Sequence, residues 1–279
     1  MQIFDEIEPI RAYLDSEKRK GKRIGLVPTM GALHRGHLAL IEASKAENDL
    51  TVGTIYVNPT QFNNPADLEK YPRSIESDVE QLIKSGCDVL FKPSNDVMYS
   101  RKDSLKFDFG QLDKVLEGKF RPGHFSGVAL VVSKLFNIIQ PQTAYFGQKD
   151  YQQFLVISRL VEELKFPLQL KSIPISREPS GLALSSRNQR LSDNGREKAL
   201  LLFQSLRFSR DELLKGKSIA EVRKEVQIRF NKTEGVQLEY LELADSHTLE
   251  ILEHGEKVSA VILIAGFVDD VRLIDNMLL

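Results

Sequence analysis

The first 175 residues alternate short apolar runs with amphipathic stretches. Apolar runs rich in β-branched residues and bounded by glycine, proline or polar residues predict buried strands, and apolar residues at helical spacing predict helices. The predicted strands are 23–27, 50–57, 88–91, 143–146 and 168–175, and the predicted helices are 7–20, 37–46, 74–85, 128–137 and 151–164. Pro28 is expected to end the first strand, and Ser74 to cap the third helix. This alternation predicts a parallel sheet covered by helices on both faces.

The remaining residues follow a different pattern. The segment 176–194 is polar, contains Pro179, Gly181 and three arginines, and is predicted to be a long loop that serves as hinge and lid. The elements expected after it are helices 193–215 and 219–231 and strands 237–244, 248–249 and 258–267. The predicted fold is therefore α/β: a Rossmann-like doubly wound parallel sheet over 1–175 and a smaller C-terminal α+β domain over 176–279.

Composition narrows the possible partners. The 279 residues include 38 basic and 39 acidic side chains, and this near-zero net charge disfavours a protein that coats nucleic acid. The single cysteine, Cys87, excludes an intrachain disulfide and a four-cysteine zinc site. No secretory signal is recognisable, and no apolar run reaches the roughly 18 residues that span a bilayer. We therefore expect a cytoplasmic protein without a membrane or nucleic-acid partner.

Three polar loops follow predicted strand ends, starting at Thr29, Asn58 and Gly147. Ligands of parallel α/β sheets bind at the carboxyl ends of the strands, so these loops are expected to converge on one crevice.

The loop after the first strand has the sequence Pro-Thr-Met-Gly-Ala-Leu-His-Arg-Gly-His over residues 28–37. Gly31 and Gly36 allow a ligand to approach the backbone closely, and His34 and His37 lie where a helix is predicted to begin. Imidazole N–H groups there can donate to the phosphates of a nucleotide. The motif alone equally allows two surface histidines or half of a zinc site. The interpretation as a zinc site is disfavoured because no His-Glu-x-x-His motif and no nearby cysteine are present.

Three further clusters carry candidate phosphate ligands. In the cluster 144–153, Lys149 would be a mobile cation at the crevice. In the cluster 177–188, Ser185, Ser186 and Arg187 would clamp phosphates. The cluster 118–127 combines cations with glycines, which suits an anion-binding loop. Each cluster alone is equally or more simply explained as an ordinary turn, linker or connector. Walker A, Gly-x-Gly-x-x-Gly and Gly-x-Ser-x-Gly motifs are absent, which disfavours P-loop phosphoryl transfer and serine hydrolysis.

Taken in order, the motifs resemble the pantothenate synthetase (pantoate–β-alanine ligase) family. They are 28–37, Asn-Pro-Thr-Gln-Phe at 58–62, Tyr-Pro-Arg at 71–73, Arg-Pro-Gly-His-Phe at 121–125, Phe-Gly-x-Lys-Asp-Tyr-Gln-Gln at 146–153 and Arg-Glu-Pro-x-Gly-Leu-Ala-x-Ser-Ser-Arg-Asn at 177–188. His34–His37 is similar to the His-Ile-Gly-His element of the wider nucleotidyltransferase superfamily. Ser185–Arg187 resembles the counterpart of that superfamily's Lys-Met-Ser-Lys-Ser loop.

The resemblance implies an AMP-forming ligase. Pantoate and MgATP would give pantoyl adenylate and pyrophosphate, and β-alanine would then attack the adenylate to give pantothenate and AMP. The resemblance also implies that the protein is a homodimer and uses ATP as co-substrate together with Mg²⁺.

The resemblance also assigns the site residues. The implied catalytic residues are His37, which is the family's proton donor, and His34, Lys149 and Arg187. Gln61 and Gln153 would bind pantoate, and Gln61 would also lie near β-alanine. Asp78 would help to place Mg²⁺. The residues implied to bind ATP are Met30, Gly31, Ala32, Leu33, His34, Arg35, Gly36, His37, Gly147, Gln148, Lys149, Asp150, Ser176, Leu184, Ser185, Ser186 and Arg187. Arg35, Gln148 and Leu184 stand where the family varies or often has another residue. Asn58, Tyr71, Arg121 and His124 would be pocket or supporting residues.

Three alternatives compete with this interpretation. Another nucleotidyltransferase of the superfamily would share the histidine element but would have no need for both Gln61 and Gln153. A non-catalytic nucleotide sensor would be expected to have lost His37, Lys149 or Arg187. A fragment of a tRNA-binding synthetase is disfavoured by the near-neutral charge and by the lack of an anticodon-sized appendage.

Overall fold

The computed structural model describes residues 1–99, 101, 104–255 and 259–279. Its chain divides into two compact units, one made of Met1–Gln148 and Gln153–Pro174 and the other of Lys149–Gln152 and Ile175–Leu279. The domain boundary predicted between residues 175 and 176 stays a prediction. The sequence pattern did not suggest that the short segment 149–152 belongs with the second unit.

The first unit contains a six-stranded sheet and the helices that cover it. Its strands are β1 (Gln2–Phe4), β2 (Ile24–Thr29), β3 (Leu50–Ile55), β4 (Val89–Phe91), β5 (Thr143–Gly147) and β6 (Gln169–Ile173). Its helices are α1 (Ile7–Arg19), α2 (Arg35–Glu47), α3 (Pro65–Glu69), α4 (Ile75–Lys84), α5 (Asn95–Met98), α6 (Leu116–Phe120), α7 (His124–Ile139) and α8 (Tyr151–Leu164), of which the first two residues of α8 belong to the second unit. The strand order is β1-β4-β3-β2-β5-β6 and every pairing is parallel, so the predicted doubly wound fold is confirmed.

Alternate residues of the strands face two separate apolar layers. Leu26 and Phe91 pack in a cluster that contains residues of α1 and α7, whereas their neighbours Val27 and Leu90 pack with residues of α2 and α4. Successive side chains of a strand point to opposite faces of the sheet, and here both faces are buried. This burial explains the continuous apolar runs of β2 and β4.

Pro28 lies inside β2, so the prediction that it ends the strand is wrong. It stays in register with Thr54 of β3, and β2 runs on to Thr29. β5 pairs only with Gly25 and Leu26, so one edge of β2 is open where the proline stands. A proline without an N–H donor is tolerated at such an open edge.

Tyr145 on β5 connects the sheet to the C-terminal end of α2. Its ring is fully buried, and its hydroxyl donates to Glu47 Oε2 at 2.7 Å and accepts from Asn48 Nδ2 at 2.8 Å. Burial, and secondly the neighbouring Glu47 carboxylate, raise the pKa of Tyr145 to about 12. The folded protein therefore favours the neutral phenol.

Replacing Tyr145 with phenylalanine should lower the free energy of unfolding by about 1 kcal/mol near neutral pH, because one net hydrogen bond is lost. The wild type should also lose stability as pH rises from about 10, the unfolded pKa, towards about 12, because its raised folded pKa favours the protonated form. The Phe variant lacks this contribution. Denaturant unfolding of both proteins across this range measures the difference, and a constant gap between them would contradict the assignment.

In its described residues, the second unit has a three-stranded antiparallel sheet and two α-helices. The strands are β7 (Val236–Asp245), β8 (Ala260–Val268) and β9 (Val271–Leu278), in the order β7-β8-β9, and the helices are α9 (Asp193–Leu213) and α10 (Ile219–Asn231). Residues of both helices and all three strands share one apolar cluster, and the predicted α+β class of this part is confirmed.

One strand predicted in this unit is wrong, and one strand of the structure was not predicted. Residues 248–249 form a turn rather than a strand, and Leu249 there has φ +57°, which is incompatible with extended backbone. The strand predicted over 258–267 is β8, and residue 258 lies outside the described residues. β9 was missing from the sequence prediction. Among the described residues, no helix has the length and apolarity needed to cross a bilayer.

Candidate active site

The loop that carries the histidine pair lies at the point where the strand order of the first unit reverses. β2 has β3 on one side and β5 on the other. From β2 the chain continues through β3 and β4 towards one edge of the sheet, and β5 and β6 are then added on the opposite side of β2. Because all the strands are parallel, β2 and β5 end at the same edge, the position where doubly wound sheets bind ligands. Met30 follows the end of β2, and Gly147 is the last residue of β5.

His34 is the N-cap of α2, which begins at Arg35, two residues earlier than predicted. Its backbone is extended, with φ −144° and ψ 173°, and its Nδ1 accepts a hydrogen bond from the Gly36 N–H at 3.1 Å. Because Nδ1 is the acceptor, a neutral His34 carries its proton on Nε2. The N-cap geometry thus makes Nε2–H a donor.

His37 lies in the first turn of α2 and stacks on His34. The ring centroids are 4.0 Å apart and the planes differ by 28°. Both side chains are half-buried, and the N-terminus of a helix carries a partial positive charge. The two rings therefore form one surface at a position that favours an anionic group.

The loop that precedes His34 is held by a buried carboxylate. Asp78 of α4 is 1% exposed, and its two oxygens accept hydrogen bonds from Ala32 N and Leu33 N, both at 2.8 Å. The Ser74 hydroxyl donates to the same carboxylate at 3.2 Å. Ser74 stands at the N-cap position of α4 without a side-chain capping bond, so its predicted capping role is wrong.

Gln61 contacts the same loop from a second direction. It ends the 3₁₀ turn Pro59–Gln61, is 7% exposed, and its Nε2 lies 3.1 Å from the Met30 sulfur. Asn58 Nδ2 donates to Gln61 Oε1 at 3.1 Å, and His124 Nδ1 lies 2.8 Å from the Gln61 carbonyl oxygen. The structure thus brings together a residue predicted to bind pantoate and a residue predicted to bind ATP.

Two further residues, of which sequence reasoning missed Tyr99, support this arrangement. The Tyr99 hydroxyl donates to Asn58 Oδ1 at 2.7 Å, and Asn58 Nδ2 also donates to the Gly127 carbonyl oxygen at 3.2 Å. A methyl group added at Gly127 would stand 2.3 Å from the Thr60 carbonyl oxygen, so α7 can approach the turn only with glycine at this position. Tyr99 belongs to no pattern with a chemical meaning in the sequence, and Gly127 was noted there only as a glycine of the cluster 118–127.

Replacing Gly127 with alanine should therefore displace the Pro59–Gln61 turn and lower the free energy of unfolding by about 1–3 kcal/mol, the usual cost of overpacking. The matched control is Gly147→Ala, where an added methyl group meets no atom within 4 Å. Denaturant unfolding compares the two variants. Equal stability of both would contradict the close approach of α7.

Two other predicted residues of the first unit follow the end of β5. Gln148 begins the 3₁₀ turn Gln148–Asp150, and Gln153 lies in the first turn of α8, where it is half-buried. Arg35 is exposed on the first residue of α2.

Lys149, one of the predicted phosphate-binding cations, lies in the second unit. Lys149 Nζ is 3.7 Å from Asp150 Oδ1, and the Lys149 carbonyl oxygen accepts from Asn276 Nδ2 at 2.9 Å. Lys149, Ser185 and Asp275 line the same small cavity of this unit. Two of the predicted ATP ligands are therefore neighbours within this unit.

The segment predicted as a long loop has internal structure. Arg177 and Ala183 form an antiparallel bridge, and Leu184 N donates to the Ser176 carbonyl oxygen at 3.0 Å. A 3₁₀ turn, Ser186–Arg190, follows, and its N-cap residue Ser185 accepts from Arg187 N at 3.3 Å. These bonds place Ser185, Ser186 and Arg187 on an ordered turn.

The bridge is attached to β9 by a nearly buried ion pair. Arg177 donates to both oxygens of Asp275, at 2.6 Å and 2.9 Å, and also to the Asn276 carbonyl oxygen at 3.3 Å. Sequence reasoning missed Asp275 and Asn276. They are two adjacent buried polar residues in a strand whose other residues, apart from Arg272, are apolar, and buried polar residues are informative exceptions.

The fold and the site of the first unit define a nucleotide-binding α/β enzyme of the doubly wound class. The family model for Pantoate-beta-alanine ligase matches residues 2–278, and the chain belongs to this family. The family expected from the ordered motifs is thereby confirmed, as is the expectation that the chain is an enzyme.

Curated relatives and solved structures agree with this assignment. Pantothenate synthetase from Cytophaga hutchinsonii is 47% identical over 281 residues, covering 100% of this chain and 99% of the relative. Pantothenate synthetase from Bacteroides fragilis is 45% identical, covering 99% of this chain and 98% of the relative. The crystal structure of pantothenate synthetase from Thermus thermophilus has a TM-score of 0.92 at 41% identity, covering 99% of both chains. Pantoate-beta-alanine ligase from Francisella tularensis, complexed with beta-gamma ATP and beta-alanine, has a TM-score of 0.84 at 38% identity, covering 100% and 97%.

Proposed function

We propose that this enzyme condenses pantoate with β-alanine in an ATP-dependent reaction that passes through pantoyl adenylate. The observation that carries the proposal is the stacked His34–His37 pair at the N-terminus of α2, beside a loop that contacts Gln61. The Francisella relative, whose structure holds beta-gamma ATP and beta-alanine, supports the choice of co-substrates.

The proposed reaction has two steps. A pantoate carboxylate oxygen forms a bond to the α-phosphorus of ATP, and the bond from that phosphorus to the bridging oxygen of pyrophosphate breaks. The neutral amine of β-alanine then attacks the acyl carbon, the bond from the acyl carbon to the phosphate oxygen breaks, and AMP leaves as the amine loses a proton. No enzyme nucleophile is required, so catalysis consists of positioning and charge stabilisation.

The first unit supplies the groups for the reacting end of the substrates. His34 and His37 donate from their imidazoles to phosphate oxygens, where negative charge develops as pyrophosphate leaves. Gln61, held by Asn58, and Gln153 bind the hydroxyls and carboxylate of pantoate through their amides. Gly31–Leu33, Arg35, Gly36, Gly147 and Gln148 contribute backbone or packing contacts to ATP.

The second unit supplies further ATP ligands. Lys149 and Arg187 are the cations proposed for the phosphates, Ser185 and Ser186 donate hydroxyl hydrogen bonds, and Asp150 accepts from the ribose. Ser176 and Leu184, joined by a backbone hydrogen bond, are proposed to contact the adenine.

Magnesium is proposed to arrive bound to ATP, as part of the substrate. Within the described ranges, no group of three or more His, Cys, Asp or Glu side chains could hold a metal ion. Both oxygens of Asp78 already accept hydrogen bonds, from Ala32 N and Leu33 N. The assignment of Asp78 to Mg²⁺ stays a prediction.

A homodimer in the cytoplasm is proposed from the family resemblance, and light scattering of the purified protein tests the oligomeric state. The reaction itself is tested by incubating the protein with MgATP, pantoate and β-alanine, which should yield pantothenate and AMP in equal amounts. A folded protein at micromolar concentration that forms neither product would overturn the proposed function.

The adenylate is tested separately by two measurements. Pantoate alone, without β-alanine, should support exchange of pyrophosphate into ATP. Pantoate carrying heavy oxygen in its carboxylate should transfer one labelled atom to AMP. Pantothenate formation without exchange and without label transfer would rule out the adenylate. Exchange supported by other acids but not by pantoate would instead favour a different nucleotidyltransferase.

A further inference from the structure

Asp78 is a buried anion with only neutral donors among its observed partners. The described contacts of its carboxylate are Ala32 N, Leu33 N and the Ser74 hydroxyl. Burial of a charge is costly unless hydrogen bonds compensate, and the two backbone amides meet this need at 2.8 Å each. The carboxylate and the loop therefore stabilise each other.

The loop adopts a conformation that its residues disfavour. Gly31 has φ +81° and Ala32 has φ +50°, two consecutive left-handed residues of which only one is glycine. An L-residue in this region is strained, and such strain persists only where the surroundings impose it. A turn of this kind points successive backbone N–H groups, here those of Ala32 and Leu33, towards one side, and the N–H groups then form a concavity that binds an anion. The Asp78 carboxylate fills this concavity.

The same loop sets the position of the histidine pair. Leu33, whose amide is bound by Asp78, directly precedes His34, the N-cap whose ring accepts from Gly36 N. His37 stacks on that ring at 4.0 Å. A methyl group added at Gly31 would stand 3.0 Å from Asp78 Oδ2, so the carboxylate and the loop are already in close contact.

We infer that Asp78 is a positioning residue: its carboxylate holds the amides of Ala32 and Leu33 in the left-handed turn that orients His34 and His37 towards the phosphates of ATP. The contribution of the histidines to adenylation rests on the proposed function, whereas the conformational role of Asp78 does not. This role differs from Mg²⁺ binding because it acts through the loop backbone.

The test compares Asp78→Asn with the double variant Asp78→Asn/Ala32→Gly. The asparagine presents an NH₂ group to one of the two amides, so the loop should lose its fixed turn, and pyrophosphate exchange should fall about 10-fold to 100-fold, since a misplacement of about 1 Å can cost about 10²-fold. Glycine at position 32 adopts the left-handed conformation without strain and should restore exchange about threefold to tenfold. The Mg²⁺ concentration for half-maximal exchange should stay unchanged in both variants.

Hydrogen exchange of the peptide 30–36 without substrates gives a readout that is independent of activity. It should be faster in Asp78→Asn than in the wild type and partly slowed by Ala32→Gly. The matched control is Asp211→Asn, an exposed carboxylate on α9, which should change neither measurement. Asp78→Ser, which removes the carboxylate without adding an N–H donor, should behave like Asp78→Asn.

Each outcome supports or overturns the positioning role. A raised Mg²⁺ requirement without rescue by Ala32→Gly would make Asp78 a metal ligand and overturn the inference. Unchanged hydrogen exchange of 30–36, or failure of both Asp78 variants to fold, would contradict a role confined to the loop. If the wild type shows no pyrophosphate exchange, the proposed function fails, while hydrogen exchange still decides the conformational role.

Discussion

Replacing His37 with alanine should lower pantoate-dependent ATP–pyrophosphate exchange by about 10²-fold or more, the usual effect of losing one donor that acts in the transition state. The imidazole lies in the first turn of α2, stacked at 4.0 Å on His34, whose own ring is oriented by Gly36 N. Charge on the phosphates grows as the bond to pyrophosphate breaks. The loss should therefore appear mainly in the maximal rate, with a smaller change in the KM for pantoate.

A control for the His37 variant is available in the same chain. His254→Ala removes an exposed histidine of the second unit and should leave exchange and unfolding unchanged. His37→Ala should retain the far-ultraviolet spectrum and the denaturant midpoint of a folded protein. Near-wild-type exchange by folded His37→Ala would remove His37 from the mechanism.

Replacing Gln61 with leucine should raise the KM for pantoate about 10-fold to 100-fold, because a hydrogen bond to a charged group contributes about 1.5–3 kcal/mol. The side chain is 7% exposed and is held by Asn58 Nδ2 at 3.1 Å, so it needs little reordering to bind a substrate. Leucine keeps the volume but removes both polar atoms. The KM for ATP should change much less. Initial rates at varied pantoate and at varied ATP separate the two constants.

The matched control for this variant is Gln227→Leu, which changes an exposed glutamine of α10. It should leave both KM values unchanged. If Gln61→Leu raises the KM for ATP as much as that for pantoate, Gln61 acts through the Met30 loop that it contacts rather than through pantoate. An unchanged KM for pantoate would remove Gln61 from the substrate site.

Strands β2 and β4 were predictable because each contains a continuous apolar run between two layers of helices. β1 and β9 were missed for different reasons. β1 is a three-residue edge strand that is mostly exposed, so it carries no hydrophobic pattern. β9 places the buried polar pair Asp275 and Asn276 inside a strand, which interrupts its apolar alternation.

The candidate site was predictable where its residues are close in sequence. His34, Gly36 and His37 form one motif, and the N-cap contact between His34 and Gly36 is local. The contacts that position this motif are not local. Asp78 reaches Leu33 across 45 positions, and His124 reaches Gln61 across 63 positions.

The order of residues thus determined the periodicity of the elements, the fold class and the residue types available for phosphate and carboxylate binding, because these depend on neighbours along the chain. Only the tertiary structure decided that the Asp78 carboxylate meets the left-handed turn before His34. It also decided that Gly127 lets α7 approach the turn that ends at Gln61. Contacts of this kind arise from packing between distant segments, and no local pattern of hydrophobic and polar positions encodes which distant partner a side chain will meet.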